Sequence, residues 1–194
     1  MTRFTLVLIV VAMGCAPASS VPPAVPPSEP SSLKAPSTSP PSKPTRFDFK
    51  GDTPGVMTVA DFARKYGPPV KNDARPGLLP AEAEYVLTPE QKLTVANQPV
   101  LSAHYTFFED RLRSIFLEVD DGEQLFEALT TKYGPPDEVG ENGKHAHWRS
   151  EMSTMLVGRR GGYVIFRDNE LERRVQSLKE EGDRQRKEAG ANDL

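Results

Sequence analysis

Apolar residues recur with helical spacing in two short segments of the chain. In the first segment, Val59, Phe62 and Tyr66 are three and four positions apart, which places them on one face of a helix. The second segment has the same spacing at Phe126, Leu129 and Tyr133. Each segment therefore predicts a short helix that packs through one apolar face.

The residues that flank these two segments support the same prediction. Thr58 and Asp121 are suited to cap the helix starts, and each has a polar partner three positions later. Gly67 and Gly134 suit the left-handed position that follows a helix, and the two prolines after each glycine prevent the helix from continuing.

After each helix come stretches with the character of β-strands. In the first unit they are 83–87, 101–108 and 112–119, and in the second 145–149, 154–157 and 163–167. Glu109-Asp110 and Gly161-Gly162 predict tight turns between strands. The predicted fold class is α+β, with two tandem helix-plus-antiparallel-sheet repeats in which each sheet is covered by its own helix.

A duplicated motif supports this division. Lys-Tyr-Gly-Pro-Pro at 65–69 recurs at 132–136, 67 residues later, which is too long a period for a solenoid. We expect a first repeat over 46–120 and a second over 121–182. Leu171, Val175 and Leu178 predict a short amphipathic helix that ends before Gly182, followed by a disordered tail over 183–194.

The amino terminus has the pattern of a secretory signal peptide over residues 1–14. One arginine precedes about ten apolar residues, and no apolar run approaches the 18 residues of a membrane span. The single cysteine, Cys15, follows directly. This arrangement resembles the lipobox of bacterial lipoproteins, although Ala12 and Met13 depart from its usual residues. The resemblance implies that Cys15 becomes the acylated first residue, and alanine after it favours the outer membrane. A cut after Ala18 would instead release a soluble secreted protein.

The next segment, 15–45, predicts a disordered tether. From Pro17 to Pro44 the chain contains ten prolines and eight serines and shows no apolar periodicity. Extended polyproline II over about 30 residues would span about 90 Å. An alternative is a ligand for proline-reading domains.

Composition excludes several classes of function. A net charge of −3 and a pI near 5.7 argue against a nucleic-acid partner. One cysteine excludes an intrachain disulfide and a cysteine-clustered zinc site. The chain lacks Gly-x-Ser-x-Gly, His-Glu-x-x-His and a phosphate-binding glycine loop. We therefore expect no enzyme activity, no cofactor and no small-molecule substrate.

A helix that ends in Tyr-Gly-Pro-Pro, an aromatic strand residue (Tyr85, Trp148) and the hairpin over 105–117 together resemble the BamE (SmpA/OmlA) family of outer-membrane lipoproteins. They also resemble the related two-repeat β-lactamase-inhibitor-protein fold. The resemblance covers about 52–175, with Glu109-Asp110 in place of the customary glycine. It implies a non-catalytic protein-binding or assembly module in the bacterial cell envelope. Two alternatives remain: a cell-wall or lipid-surface enzyme, which would need a concave pocket with a carboxylate or histidine pair, and a secreted inhibitor-like protein without lipid.

Strand alternation sorts the hairpin into two faces. The face predicted to be core carries Tyr105, Phe107, Ile115, Leu117 and Val119, and the other carries His104, Thr106, Phe108, Leu112, Ser114 and Phe116. Because aromatic residues and arginine dominate interfaces, Phe108, Phe116 and Arg149 are the candidate partner-binding residues. Alternatively, the two repeats pack against each other and hide them.

His145 and His147 share one face of a strand and could share a metal only with a third ligand, for which His104 and Asp137 are the candidates. The favoured interpretation is polar surface histidines, and no metal site is predicted. Gly158–Gly162 is basic and glycine-rich and predicts a hairpin turn, where two arginines could meet an anionic lipid or glycan.

Overall fold

A computed structural model describes residues 43–72, 78–88 and 91–192. The predicted signal peptide, Cys15 and most of the predicted tether lie outside these residues. In chain order the elements are α1 (Val59–Tyr66), β1 (Val70–Lys71), β2 (Glu82–Leu87), β3 (Thr94–Val95), β4 (Gln98–Pro99), β5 (Ser102–Phe108), β6 (Arg111–Glu118), α2 (Gly122–Tyr133), β7 (Glu138–Val139), a 3-10 turn (Glu141–Gly143), β8 (His145–Arg149), β9 (Ser153–Gly158), β10 (Tyr163–Asp168) and α3 (Asn169–Asn192).

Eight strands form one antiparallel sheet in the order β1-β2-β5-β6-β10-β9-β8-β7, and β3 and β4 form a separate small hairpin. The α+β class with antiparallel strands is thus confirmed. The expectation of two separately covered sheets is wrong, because β6 pairs with β10 and makes the sheet continuous. This pairing satisfies backbone groups that two separate sheets would leave exposed at their edges.

The strand boundaries and turns agree closely with the sequence pattern. The six longer strands, β2, β5, β6, β8, β9 and β10, lie where strands were predicted. Glu109 and Asp110 have φ values of 48° and 67°, as a two-residue turn with a right-handed twist requires. The predicted hairpin between β5 and β6 is therefore confirmed.

Both helix caps are formed by the predicted residues. Thr58 accepts a hydrogen bond from the Asp61 backbone N–H while the Asp61 carboxylate accepts one from the Thr58 N–H. Asp121 caps α2. Gly67 and Gly134 have positive φ, at 89° and 80°, but ψ near 180°. That conformation is open almost only to glycine, and it differs from the left-handed helical one expected.

Helices α1 and α2 cover one face of the sheet and enclose the main core. The five residues predicted for the core face of the hairpin are all buried there: Tyr105, Phe107, Ile115, Leu117 and Val119. From α1, Phe62 packs on Tyr105 with ring centroids 5.0 Å apart. Near α2, the indole N–H of Trp148 donates to the Gly134 carbonyl at 2.9 Å.

Helix α3 packs on the opposite face of the sheet, where Leu171 and Val175 are buried against Phe108. The helix continues through Gly182 to Asn192, so the predicted end before Gly182 and the predicted disordered tail are wrong for residues up to 192. One glycine costs a helix only about 1 kcal/mol, which its neighbours can offset. None of the helices in the described ranges is both long and apolar enough to cross a membrane.

Candidate functional site

The face of the sheet opposite α1 and α2 carries the predicted site residues, and we call it the open face. The strand register aligns one row of side chains across it, which we call the central row. In sheet order the row consists of Val86, His104, Phe116, Ile165, Leu156, His147 and Glu138. Phe116, Ile165 and Leu156 form its apolar middle and are only partly buried. A half-buried apolar strip of this kind is typical of a binding surface.

Aromatic contacts order the middle of this face. The Phe116 ring stacks on Tyr163 with centroids 5.7 Å apart and planes 25° apart. Phe116 also forms a T-shaped pair with the His104 ring, with centroids 5.8 Å apart. Two strands, β6 and β10, thus present one rigid aromatic platform.

Of the three predicted partner-binding residues, Phe116 and Arg149 lie on the open face. Arg149 is exposed and forms an ion pair with Glu138. Phe108 was predicted beside them, but it is fully buried under α3, and the Arg174 guanidinium lies 5.3 Å from its ring centroid. It is therefore unavailable to a partner, because the sequence pattern did not reveal that α3 covers this end of the face.

A β-bulge shows that the face of the sheet predicted for Leu112 was wrong. The register between β5 and β6 shifts after Thr106, so that Phe107 lies opposite Leu112 and Arg113 is the extra residue. Leu112, predicted for the polar face, is consequently buried in the main core. Arg113, which strict alternation would place in the core beside Ile115, lines the open face instead.

All three histidines of the protein lie on the open face. Burial lowers the pKa of His147 below its usual value, and Glu138 opposes this only in part. His147 is therefore neutral at pH 7.

The residues that were considered as candidate metal ligands, although no metal site was predicted, do not converge. His104 on β5 is four strands away from His147 on β8, or about 19 Å at the usual strand spacing. Asp137 accepts a hydrogen bond from the Arg149 N–H at 2.7 Å and pairs with Lys43. In the described part of the chain, no three His, Cys, Asp or Glu residues are placed to hold a metal ion.

A groove of about 520 Å³ lies where the open face meets α3. Phe116 and Ile165 provide its apolar floor. The ionisable groups among its described lining residues are Glu84, His104, Arg113, Arg167 and Glu172. The predictions from sequence did not include this groove, because the bulge and α3 create it.

One wall of the groove holds a histidine–carboxylate pair that the sequence pattern did not reveal. Glu84 is 1% exposed, and its Oε1 lies 3.1 Å from His104 Nδ1. Ser102 Oγ lies 2.8 Å from His104 Nε2. The spacing of Ser102 and His104 on one strand was a usable signal, but Glu84 comes from the neighbouring strand and only the register places it.

A second charged cluster lies on the core side of the sheet. The buried carboxylate of Asp52 accepts hydrogen bonds from Lys65 at 2.6 Å, from Tyr105 at 2.8 Å and from Tyr66. Burial and the charge of Asp52 raise the pKa of Tyr105 far above its usual range. Burial also raises the pKa of Tyr66, as does its hydrogen bond to Asp52. Such tyrosines stay protonated, so this cluster joins segments of the fold and does not supply a base.

Comparison with known families, curated proteins and solved structures found no match for this chain. The resemblance to BamE-like lipoproteins therefore stays a prediction.

Proposed function

We propose that this protein is a cell-envelope lipoprotein that acts as a non-catalytic protein-binding or assembly module. In this proposal Cys15 carries the lipid, the segment 15–45 is the tether, and the folded part faces the periplasm from the outer membrane. The signal-like residues 1–14 followed by a lone cysteine support the anchor. The folded part then meets an envelope protein through its open face, with no role for nucleic acid.

The central row is the main structural support for the proposed binding role. Its apolar middle is partly exposed on a face that already has a complete core on its other side. Phe116 stacks on Tyr163 while both rings are only partly buried, so a partner would gain an ordered aromatic contact there. Arg149 at one side adds a charged group of the kind that interfaces favour.

We also infer that the chain arose from two tandem repeats, 46–120 and 121–182. Each half of the sheet is a run of four strands that follows a helix ending in Lys-Tyr-Gly-Pro-Pro. The two runs meet in mirrored order, with the last strand of each, β6 and β10, at the centre.

Site-specific photocrosslinking in the native cell tests the binding role. A photoreactive residue is placed at Leu156, in the central row, and for comparison at Glu127, on the exposed side of α2. We expect one discrete adduct with an envelope protein from Leu156 and none from Glu127. Equal adducts from both positions, or none from Leu156, would refute the proposal.

One specific observation favours the alternative function, a cell-wall or lipid-surface enzyme. Ser102, His104 and Glu84 stand in the order of nucleophile, base and orienting acid, at 2.8 and 3.1 Å. We place it second because Ser102 does not line the groove, so a ligand there would not contact the nucleophile.

A fluorophosphonate probe distinguishes the two functions. If the protein is a hydrolase, the probe labels it covalently, and Ser102→Ala abolishes labelling while Ser114→Ala, on the same face, retains it. The binding module that we propose is not labelled at all.

A further inference from the structure

We propose that the groove beside α3 binds a small organic carboxylate, with its charged group between Arg113 and Arg167 and its apolar body on Phe116 and Ile165. This inference deepens the binding role proposed above and rests on it. It assigns the chemistry of one end of the open face.

The first support is the position of Arg113. The bulge directs this side chain into the groove although the residue is 9% exposed. Its Nη2 lies 3.1 Å from Oε1 of the buried Glu82. Its Nε has no hydrogen-bond acceptor among the described residues. A buried charged donor without an acceptor is costly, so the site favours a ligand that brings an acceptor oxygen.

The second support is that two guanidinium groups converge on one carboxylate. Glu172 Oε1 lies 3.8 Å from Arg113 Nε and 4.0 Å from Arg167 Nε, which are both ion-pair distances that are too long for hydrogen bonds. Glu172 therefore marks a position where a carboxylate is electrostatically favoured but poorly bonded. A free carboxylate, which no helix backbone holds in place, can approach both nitrogens at hydrogen-bond distance.

The opposite wall sets the orientation of the ligand. Glu84 is buried, and its carboxylate already accepts hydrogen bonds from Asn72 at 2.7 Å and interacts with His104. A carboxylate wall offers an anionic ligand no hydrogen-bond donor, so the ligand carboxylate takes the end with the two arginines. The apolar floor then accommodates a short alkyl or aromatic body.

Methyl NMR of the mature full-length chain in lipid nanodiscs tests this inference. The probes are hexanoate and hexylamine, which have matched apolar bodies and opposite charges, each titrated to about 10 mM, in the affinity range of small ligands. We expect hexanoate to shift the Ile165 methyl signals in a saturable manner and hexylamine to shift them less. No saturable shift with hexanoate, or a stronger response to hexylamine, would overturn the inference.

Three variants make the test specific. Glu172→Gln removes the competing carboxylate and should tighten hexanoate binding about fivefold, whereas Arg167→Gln should weaken it about fivefold. Arg173→Gln, on the exposed side of α3, serves as the matched control and should leave binding unchanged. Weaker hexanoate binding in Glu172→Gln would contradict the proposed position.

The outcomes separate this inference from the proposed function. Hexanoate binding together with an absent Leu156 crosslink would refute the proposed protein partner and support the carboxylate site. An intact crosslink without hexanoate binding would refute only the carboxylate site.

Discussion

The hydroxyl of Tyr105 donates a hydrogen bond to the carboxylate of Asp52 at 2.8 Å, and both residues are almost completely buried. Asp52 also accepts hydrogen bonds from Lys65 and Tyr66 on α1. These contacts join the segment before α1 to both α1 and strand β5. Burial makes the two tyrosines costly to deprotonate, and the hydrogen bond to Asp52 raises the pKa of Lys65, so the cluster couples the stability of this end of the fold to pH.

We expect the free energy of unfolding to fall as the pH rises above about 10, where unfolded tyrosines ionise. Burial raises the pKa of Tyr105 and Tyr66, so the folded state retains protons that the unfolded state releases. Burial alone would lower the pKa of Lys65, but Asp52 raises it above its usual value, which adds to the loss in the same direction.

Urea unfolding measured between pH 8 and 11 in about half-unit steps checks this prediction. Tyr105→Phe should reduce the steepness of the decline, whereas Tyr163→Phe, on the open face, should leave it unchanged. A profile that stays flat to pH 11 would show that the cluster is not coupled to folding.

The burial of Phe108 predicts a large difference between two phenylalanines on the same side of the hairpin. Phe108→Ala should lower the free energy of unfolding by about 3–5 kcal/mol, because it leaves a cavity against Leu171 and Val175. Phe116→Ala should cost less than about 1.5 kcal/mol, since its ring is only partly buried. Equal losses in urea unfolding would mean that α3 does not pack on Phe108 in solution.

The continuation of α3 predicts the sign of a substitution at Gly182. Within a helix, Gly182→Ala stabilises by about 1 kcal/mol, so backbone amide exchange over 183–189 should slow about fivefold. Gly67→Ala is the matched control, and it should destabilise α1 because Gly67 has a φ of 89°. Faster exchange in Gly182→Ala would mean that α3 ends before Gly182, as expected from the sequence.

Short-range features of this fold were predictable from the sequence. Helical spacing with Thr58 and Asp121 as caps, and alternation around the Glu109-Asp110 turn, define local structure through nearest neighbours. These signals also sorted His145, His147 and Arg149 onto one face.

The groove could not be predicted because it depends on contacts between distant segments. One extra residue, Arg113, reverses the alternation of β6 at a single point, and no local pattern marks it. The burial of Phe108 depends on α3, more than 60 positions away. The pairing of Glu84 with His104 depends on the register between β2 and β5.

The proposed anchor at Cys15, which lies outside the described residues, predicts the mass of the mature amino terminus. Mass spectrometry of the membrane fraction should show an acylated Cys15 as the first residue, and Cys15→Ser should lose the acyl mass and the membrane association. A mature protein that begins at Ser19 would instead support the secreted, lipid-free alternative.

The central claim is that the partner meets the open face of the sheet, and not the face that α1 and α2 cover. It is tested most directly by the yield of the Leu156 photocrosslink in two charge variants. Phe116→Asp places a charge in the central row, whereas Val139→Asp places one at an exposed apolar position on the helical side of edge strand β7. We predict that Phe116→Asp abolishes the adduct while Val139→Asp preserves it, with both variants folded by circular dichroism. An undiminished adduct in Phe116→Asp would contradict the account.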